Sequence, residues 1–302
     1  MMLKRLIGIL LSLAVLFSIT VSADSTGEMP AADLLDVSFT ADGFTDAAGA
    51  AAITKSEGLT ILYDETVKMN AAEFSGEGYM HADGSFMAND YLICHFGKEK
   101  FAQHVNAFTL EAYFCIEKLP SANMGSVCPI SGQQGGGLGF EVSSLGQLAF
   151  FCKSGSAYNS PKKDGVIEAG KYYHAMGVFD GSTVSLYLNG ELIASEAANG
   201  ATIVWPSGEE HNALVIGGDV GTEGKADHGI TGRVACAKAY SAALTAQQVS
   251  AEYAHITEAS SGPDDTQPPV QNTETGDTAF LCSAMLVLSV LAGWILKKKT
   301  AF

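Results

Sequence analysis

The chain carries 33 acidic residues, and their spacing decides the first chemical question. Glycoside hydrolysis uses two carboxylates that flank the scissile bond. Residues i and i+2 of a β-strand share a face, so a site built on one strand reads acid-x-acid. None of the acids here is followed two positions later by another. Carboxylates on separate strands stay open by this test. The chain also lacks a Gly-x-Ser-x-Gly elbow, a His-Glu-x-x-His pair and a complete phosphate-binding Gly-x-x-x-x-Gly-Lys-Ser/Thr loop. Non-catalytic binding therefore ranks above catalysis.

Two kinds of binding chemistry have candidates. Calcium takes oxygen ligands, and the segment 217–229 supplies Asp219, Glu223 and Asp227; a solvated acidic loop is the competing reading. Sugar recognition needs aromatic faces with a few fixed polar groups. Tyr158-Asn159, Trp205 and His211-Asn212 are the loop candidates, led by Trp205 because the other tryptophan lies in the apolar tail. The glycine-rich stretch 131–137 would let a ligand approach the backbone closely. Each of these also reads as a turn or a packed aromatic.

Six cysteines are present. Cys282 sits in the apolar tail, leaving Cys94, Cys115, Cys128, Cys152 and Cys236, an odd set that cannot pair fully. One disulfide is compatible with them, although Cys94, Cys115 and Cys152 lie in apolar segments and read as small core residues. No Cys-x-x-Cys spacing occurs, which leaves a zinc site unsupported. The formal net charge is −16, and five of the 17 basic residues lie in the terminal segments. That balance excludes nucleic acid and anionic lipid as partners, since both need basic patches.

The elements that must position these residues are strands. Residues 37–39, 108–116, 147–152, 172–179, 184–188 and 214–216 are short, apolar or alternating, and Gly, Asp and Asn punctuate them. Apolar residues fill the even positions of 108–116, so one face is expected to be buried. Asn189-Gly190 predicts a type I′ hairpin turn. Thr245 and Gln248 form a capping pair for one helix over residues 244–253, with Val249 and Tyr253 on a shared face; it is expected to cover an edge of the domain. Residues 257–277 are Ser, Thr, Pro, Asp and Gln without a basic or aromatic residue, and read as a disordered linker.

The two ends carry addresses. Lys4 and Arg5 precede an apolar run at 6–19, and Val21-Ser22-Ala23 offers small residues for signal peptidase, giving a signal peptide at 1–23. The apolar run 279–296 is close to membrane-spanning length, and Lys297, Lys298 and Lys299 follow as a stop. The segment 278–302 thus reads as a transmembrane anchor or a sorting segment. Asn272-Thr273-Glu274-Thr275-Gly276-Asp277 resembles a bacterial cell-wall sorting signal. That resemblance implies cleavage by sortase between Thr275 and Gly276 and transfer to peptidoglycan. Asn272 and Thr273 depart from the Leu-Pro of such signals.

The ordered segments between 32 and 256 resemble the laminin-G-like jelly roll of the concanavalin A-like lectin/glucanase superfamily. The likeness is carried by Val37-Ser38-Phe39 with Asp46-Ala47-Ala48-Gly49, by Phe108-Thr109-Leu110, and by His174, Asp180-Gly181 and Tyr187-Leu188-Asn189-Gly190 in order. Ile216-Gly217-Gly218, Gly232-Arg233-Val234 and Ala239-Tyr240 complete it. It implies an all-β, two-sheet antiparallel sandwich with a short C-terminal helix, and a rim calcium in many relatives. Ala235 and Cys236 stand where such relatives carry an acidic pair. His174 reads as structural, satisfied by a backbone bond. The functional expectation is a non-catalytic module on the outside of a Gram-positive-type cell that binds a glycan or an extracellular protein. The alternatives are a glycoside hydrolase with dispersed carboxylates, or a structural spacer.

Overall fold

Strand alternation builds the molecule. The computed structural model describes residues 28–261, apart from 81, 83–85, 123–124 and 222–223. The expected signal peptide, the sorting motif at Thr275-Gly276 and the apolar tail lie outside the described residues. Among the described residues no helix is long and apolar enough to cross a membrane.

Two nine-stranded sheets and a smaller four-stranded one form, with every pairing antiparallel. The first runs, edge to edge, Glu191–Ala197, Thr183–Leu188, Tyr172–Phe179, Phe108–Lys118, Thr231–Tyr240, Leu35–Thr40, Met69–Ser75 and Thr60–Asp64, with Gly43–Asp46 attached to Leu35–Thr40. The second runs Ala157–Asn159, Leu148–Ser154, Gly137–Ser143, Ile130–Gln133, Ala213–Ile216, Leu92–His95 and Ala52–Lys55, with Ser126–Val127 and Lys162–Lys163 attached. The third, Asp219–Val220, Ala226–Asp227, Phe86–Ala88 and Gly78–Met80, is short.

The core lies between the first two sheets. Phe108, Leu110, Ala112 and Phe114 from the first meet Leu138, Phe140, Leu148 and Phe150 from the second in one buried cluster. Glycine lets aromatic rings of one sheet reach the backbone of the other: a Cβ on Gly177 would strike the Phe150 ring, and one on Gly217 the Phe74 ring. The Asn189-Gly190 turn forms as its sequence demands, with φ of 51° and 79°. All five cysteines outside the tail are free and buried, so no disulfide forms among them.

The helix departs from expectation in two ways. Thr245 and Gln248 do form the capping pair, Gln248 N donating to Thr245 Oγ1 (3.3 Å) and Thr245 N to Gln248 Oε1 (2.9 Å). However, the helix runs Ala246–Ser261, into the segment read as linker. It also lies across the outer face of the first sheet rather than along an edge. Val249 packs on Met176, Val178 and Tyr240, and Ile256 on Val67, Ala71 and Cys236. Both faces of Phe108–Lys118 are consequently buried, not one.

Beneath the helix is a charged network. Glu111, fully buried, accepts hydrogen bonds from His174 Nε2 (3.1 Å) and Tyr240 Oη (2.7 Å). Lys238 Nζ lies 3.6 Å from Glu111 and bonds Glu252 of the helix. Burial alone would push the Glu111 carboxyl up; the contacts with His174, Lys238 and Tyr240 outweigh it and hold the group below its ordinary value. Tyr253 stacks on the His174 ring at 5.8 Å. His174 is thus structural, but its side chain is held by a carboxylate rather than a backbone group. Removing one member of a buried ionic set costs about 3–5 kcal/mol. Urea titration of Glu111→Ala is expected to show a loss of that size, whereas the exposed Asp42→Ala stays within roughly 0.5 kcal/mol of wild type.

Candidate functional site

The two faces of the second sheet have different fates. Leu138, Phe140 and Val142 point inward along one strand, and Leu148, Phe150 and Cys152 along the next. Alternation therefore turns Gly139, Glu141, Phe151 and Lys153 outward. Over Ala213–Ile216 and Leu92–His95 this outer face is covered by the small third sheet, through Ile93, Ala213, Val215, Val220 and Ala226. Over Gly137–Ser143 and Leu148–Ser154 it is partly exposed at Glu141, Phe151 and Lys153, while Ser131 and Gly139 are buried next to the strand Asp219–Val220.

The partly exposed half is the candidate ligand surface. Ser131, Gly139 and Phe151 sit side by side across three strands. Gly139 carries no side chain because Ser131 fills the space above it: a Cβ there would strike Ser131 Oγ. Phe151 is half-buried and meets Tyr158 edge-on at 6.3 Å. Lys153 lies 5.6 Å from the centre of the Tyr158 ring and donates to Gly135 O (2.7 Å). Glu141 accepts from Ser126 Oγ (2.9 Å). An aromatic pair beside a carboxylate offers the kinds of group that a small-molecule site uses.

Of the sequence candidates, Tyr158 belongs to this face. Tyr158 Oη donates to Gly136 O (2.7 Å), and burial pushes its phenol up to about 12, so the proton stays on the oxygen. The glycine stretch 131–137 does bring a backbone close, but that of the protein itself. Gly137 N donates to Val204 O (2.7 Å), and a Cβ on Gly136 would meet Trp205 and Pro206. Trp205 faces inward. Its ring stacks on Phe101 at 4.1 Å, and its Nε1 donates to His104 O (3.1 Å). The platform expected of Trp205 is occupied by Phe101. A cleft of about 670 Å³ beside this stack is lined by Phe96, Glu99, Lys100, Gln103 and Glu209, without Trp205. His211 lies 3.7 Å from Glu210 on the adjoining turn, a fifth of its side chain exposed.

Asp219 and Asp227 come together as directly opposed residues of neighbouring strands. His228 joins them, so that one donor atom of each lies within 4.8 Å of the others. Asp219 Oδ1 accepts the N–H groups of Gln133 and Val220, both at 2.8 Å. Burial pushes its carboxyl up to about 7. His228 Nδ1 is 2.8 Å from Asp227 Oδ1, and that bond holds the imidazole above its ordinary value. Calcium takes six to eight oxygen ligands. Here two carboxylates stand beside an imidazole, and Asp219 Oδ1 already receives two N–H groups; Glu223 lies outside the described residues. This donor set does not fit calcium.

Glu141, Phe151 and His228 were not singled out from the sequence. The alternation of 138–142 and 148–152 carries a signal for the first two, because it turns an acid and an aromatic outward next to a bare glycine. His228 directly follows Asp227 in the same segment and went unnamed because only oxygen ligands were sought there.

Comparison with known proteins agrees with the architecture. No curated protein sequence matches the chain. Among solved structures, the binding domain of botulinum neurotoxin DC, in complex with SialylT, superposes with a TM-score of 0.55 at 10% identity, covering 75% of this chain and 52% of that one. The binding domain of Paraclostridial mosquitocidal protein 1 gives 0.55 at 12%, covering 73% and 51%. A botulinum neurotoxin type C structure, whose cell entry is titled as dependent on two ganglioside molecules, gives 0.54 at 11%, covering 74% and 50%. The chain spans about half the length of these structures, and at such identities the likeness is one of fold. A laminin-G-type family model covers residues 87–250, more than half of the sequence, and with this sandwich it shows that the chain belongs to the concanavalin A-like lectin/glucanases superfamily.

Proposed function

We propose that this chain is a non-catalytic binding module for a glycan, held on the partly exposed half of the second sheet. The observation that carries the reading is Phe151, a half-buried aromatic side chain turned outward beside the Tyr158 ring. A sugar ring stacks on such a surface through its C–H face, while Glu141 accepts from its hydroxyls. The neurotoxin structures above are titled for sialyl and ganglioside ligands. The formal net charge of −16 disfavours an anionic sugar. The ligand class supported best is therefore a neutral glycan.

One observation favours hydrolysis as the second reading. Glu141 and Asp219 come from separate strands, both within reach of Gln133, and a carboxyl raised to about 7 is what a general acid needs. Against it, Asp219 is almost wholly buried and Glu141 is tied to Ser126. The other opposed pair, Glu73 and Glu117, is clamped by Arg233 Nη2 at 3.4 and 2.8 Å. In the same proposal the leader exports the domain, and the segment around Thr275-Gly276 with the apolar tail retains it at the cell surface. Release by a wall-digesting muramidase supports sortase linkage, and release by detergent alone supports a membrane anchor.

A glycan array probed with the full chain is expected to bind neutral rather than sialylated glycans. Phe151→Ala should weaken that binding roughly ten-fold or more, equivalent to about 1.4 kcal/mol, with an unchanged melting temperature. Trp205→Ala should act instead on stability, costing about 3–5 kcal/mol for a lost packed aromatic. A silent array would return the reading to a protein ligand or a spacer, and reducing sugar released from β-glucans would replace it with hydrolysis.

Asp219 also predicts a pH dependence. Its folded value of about 7 exceeds the unfolded value near 3.9. Between the two, the folded chain keeps a proton that the unfolded chain has lost, so this group's contribution to stability falls as pH rises. In urea titrations with chelator present, Asp219→Asn is expected to gain on wild type from about pH 4 to 7 and to hold that gain above it.

A further inference from the structure

We infer that Asp219, Asp227 and His228 form a site for a borderline divalent cation, with zinc the best-fitted ion, and that the site is not one for calcium. The residue types argue first. An imidazole nitrogen together with carboxylate oxygens is a donor set for zinc and its neighbours, whereas calcium takes oxygens alone. Placement argues second. Asp219 and Asp227 are directly opposed across an antiparallel pair, where like charges repel. Asp219 is buried, and the donors that meet it at Gln133 and Val220 are neutral N–H groups. A dication between the two carboxylates cancels that repulsion.

The surroundings hold the donors in place. Asp227 is packed against Gly221, whose added Cβ would lie 3.0 Å from the carboxylate. His228 is adjacent in sequence and stays half-exposed, its side chain 47% accessible, so the site opens to solvent on that side. Three protein donors with an open side make a site that completes its coordination with water or an external oxygen. The absence of a Cys-x-x-Cys spacing does not bear on it, because no thiolate is used; Cys128, although near, is fully buried. The inference does not rest on the glycan reading, and its test contains no glycan.

The experiment uses the full chain stripped with chelator and dialysed. Bound metal is measured by elemental analysis after incubation with zinc or calcium, and melting temperature is followed as each is titrated. The expected result is about one zinc retained per chain, a melting temperature that rises with zinc, and no response to calcium at the same concentration. His228→Ala, at an exposed position, should weaken zinc binding roughly ten-fold or more and leave the metal-free chain folded. Asp219→Asn should do the same to zinc binding without unfolding the chain. A response to calcium alone, a response to neither ion, or equal zinc retention by wild type and His228→Ala each overturns the inference.

Discussion

The fold depends on keeping one carboxylate ionised in its interior. Glu111 sits on a central strand of the first sheet with no exposure to water, where an isolated charge would be prohibitive. His174 from one neighbouring strand, Tyr240 and Lys238 from the other, and Glu252 from the helix close around it in a connected set. The contacts of Glu111 itself join elements distant in sequence. The set can be satisfied only when three strands and the helix are in register, so it specifies the arrangement more than it adds net stability. The helix is the final member. Without it Lys238 would lose Glu252, and His174 would lose the Tyr253 ring above it.

Closing one sheet in this way leaves function to the other. The first sheet has the core on one face and the helix on much of the second. The second sheet has the core on one face and the small third sheet over half of the other. What remains is the partly exposed half around Phe151, Glu141 and the Asp219 strand. Its floor is fixed from behind, because Phe140 and Phe150, which alternate with the outward residues, pack 5.3 Å apart in the core. A rigid floor with its side chains placed by strand alternation loses little freedom when a ligand binds.

The parts of this arrangement that were legible in the sequence are those written in local chemistry. Asn189-Gly190 must turn because both residues accept positive φ. Thr245 must cap because Gln248 is three residues away. The rim acids Asp219 and Asp227 were visible as residues eight apart in one loop, and the strands they occupy do pair. Trp205 misled because residue type says nothing of direction: its burial is decided by Phe101, a hundred residues earlier. The helix ran past its expected end because Thr257, read as linker, bonds back to Tyr253 O at 2.9 Å. Glu111 looked like an ordinary polar position on an alternating strand, since the partners that justify its burial lie between 63 and 141 residues away along the chain.

The free cysteines follow from the same economy of packing. Five thiols in a chain proposed for an oxidising exterior pose a hazard, because thiolates exchange and oxidise. All five are buried. Burial pushes the thiols of Cys94, Cys115, Cys128, Cys152 and Cys236 up, which removes the reactive thiolate as well as access to it. They serve as small apolar residues: Cys94 and Cys152 between the sheets, and Cys236 under the helix against Ile256. A domain of this size buries enough surface to be stable without cross-links. Covalent staples are dispensable here for the reason that Glu111 can be buried: the two-sheet core with its helix is extensive enough to exclude water from both.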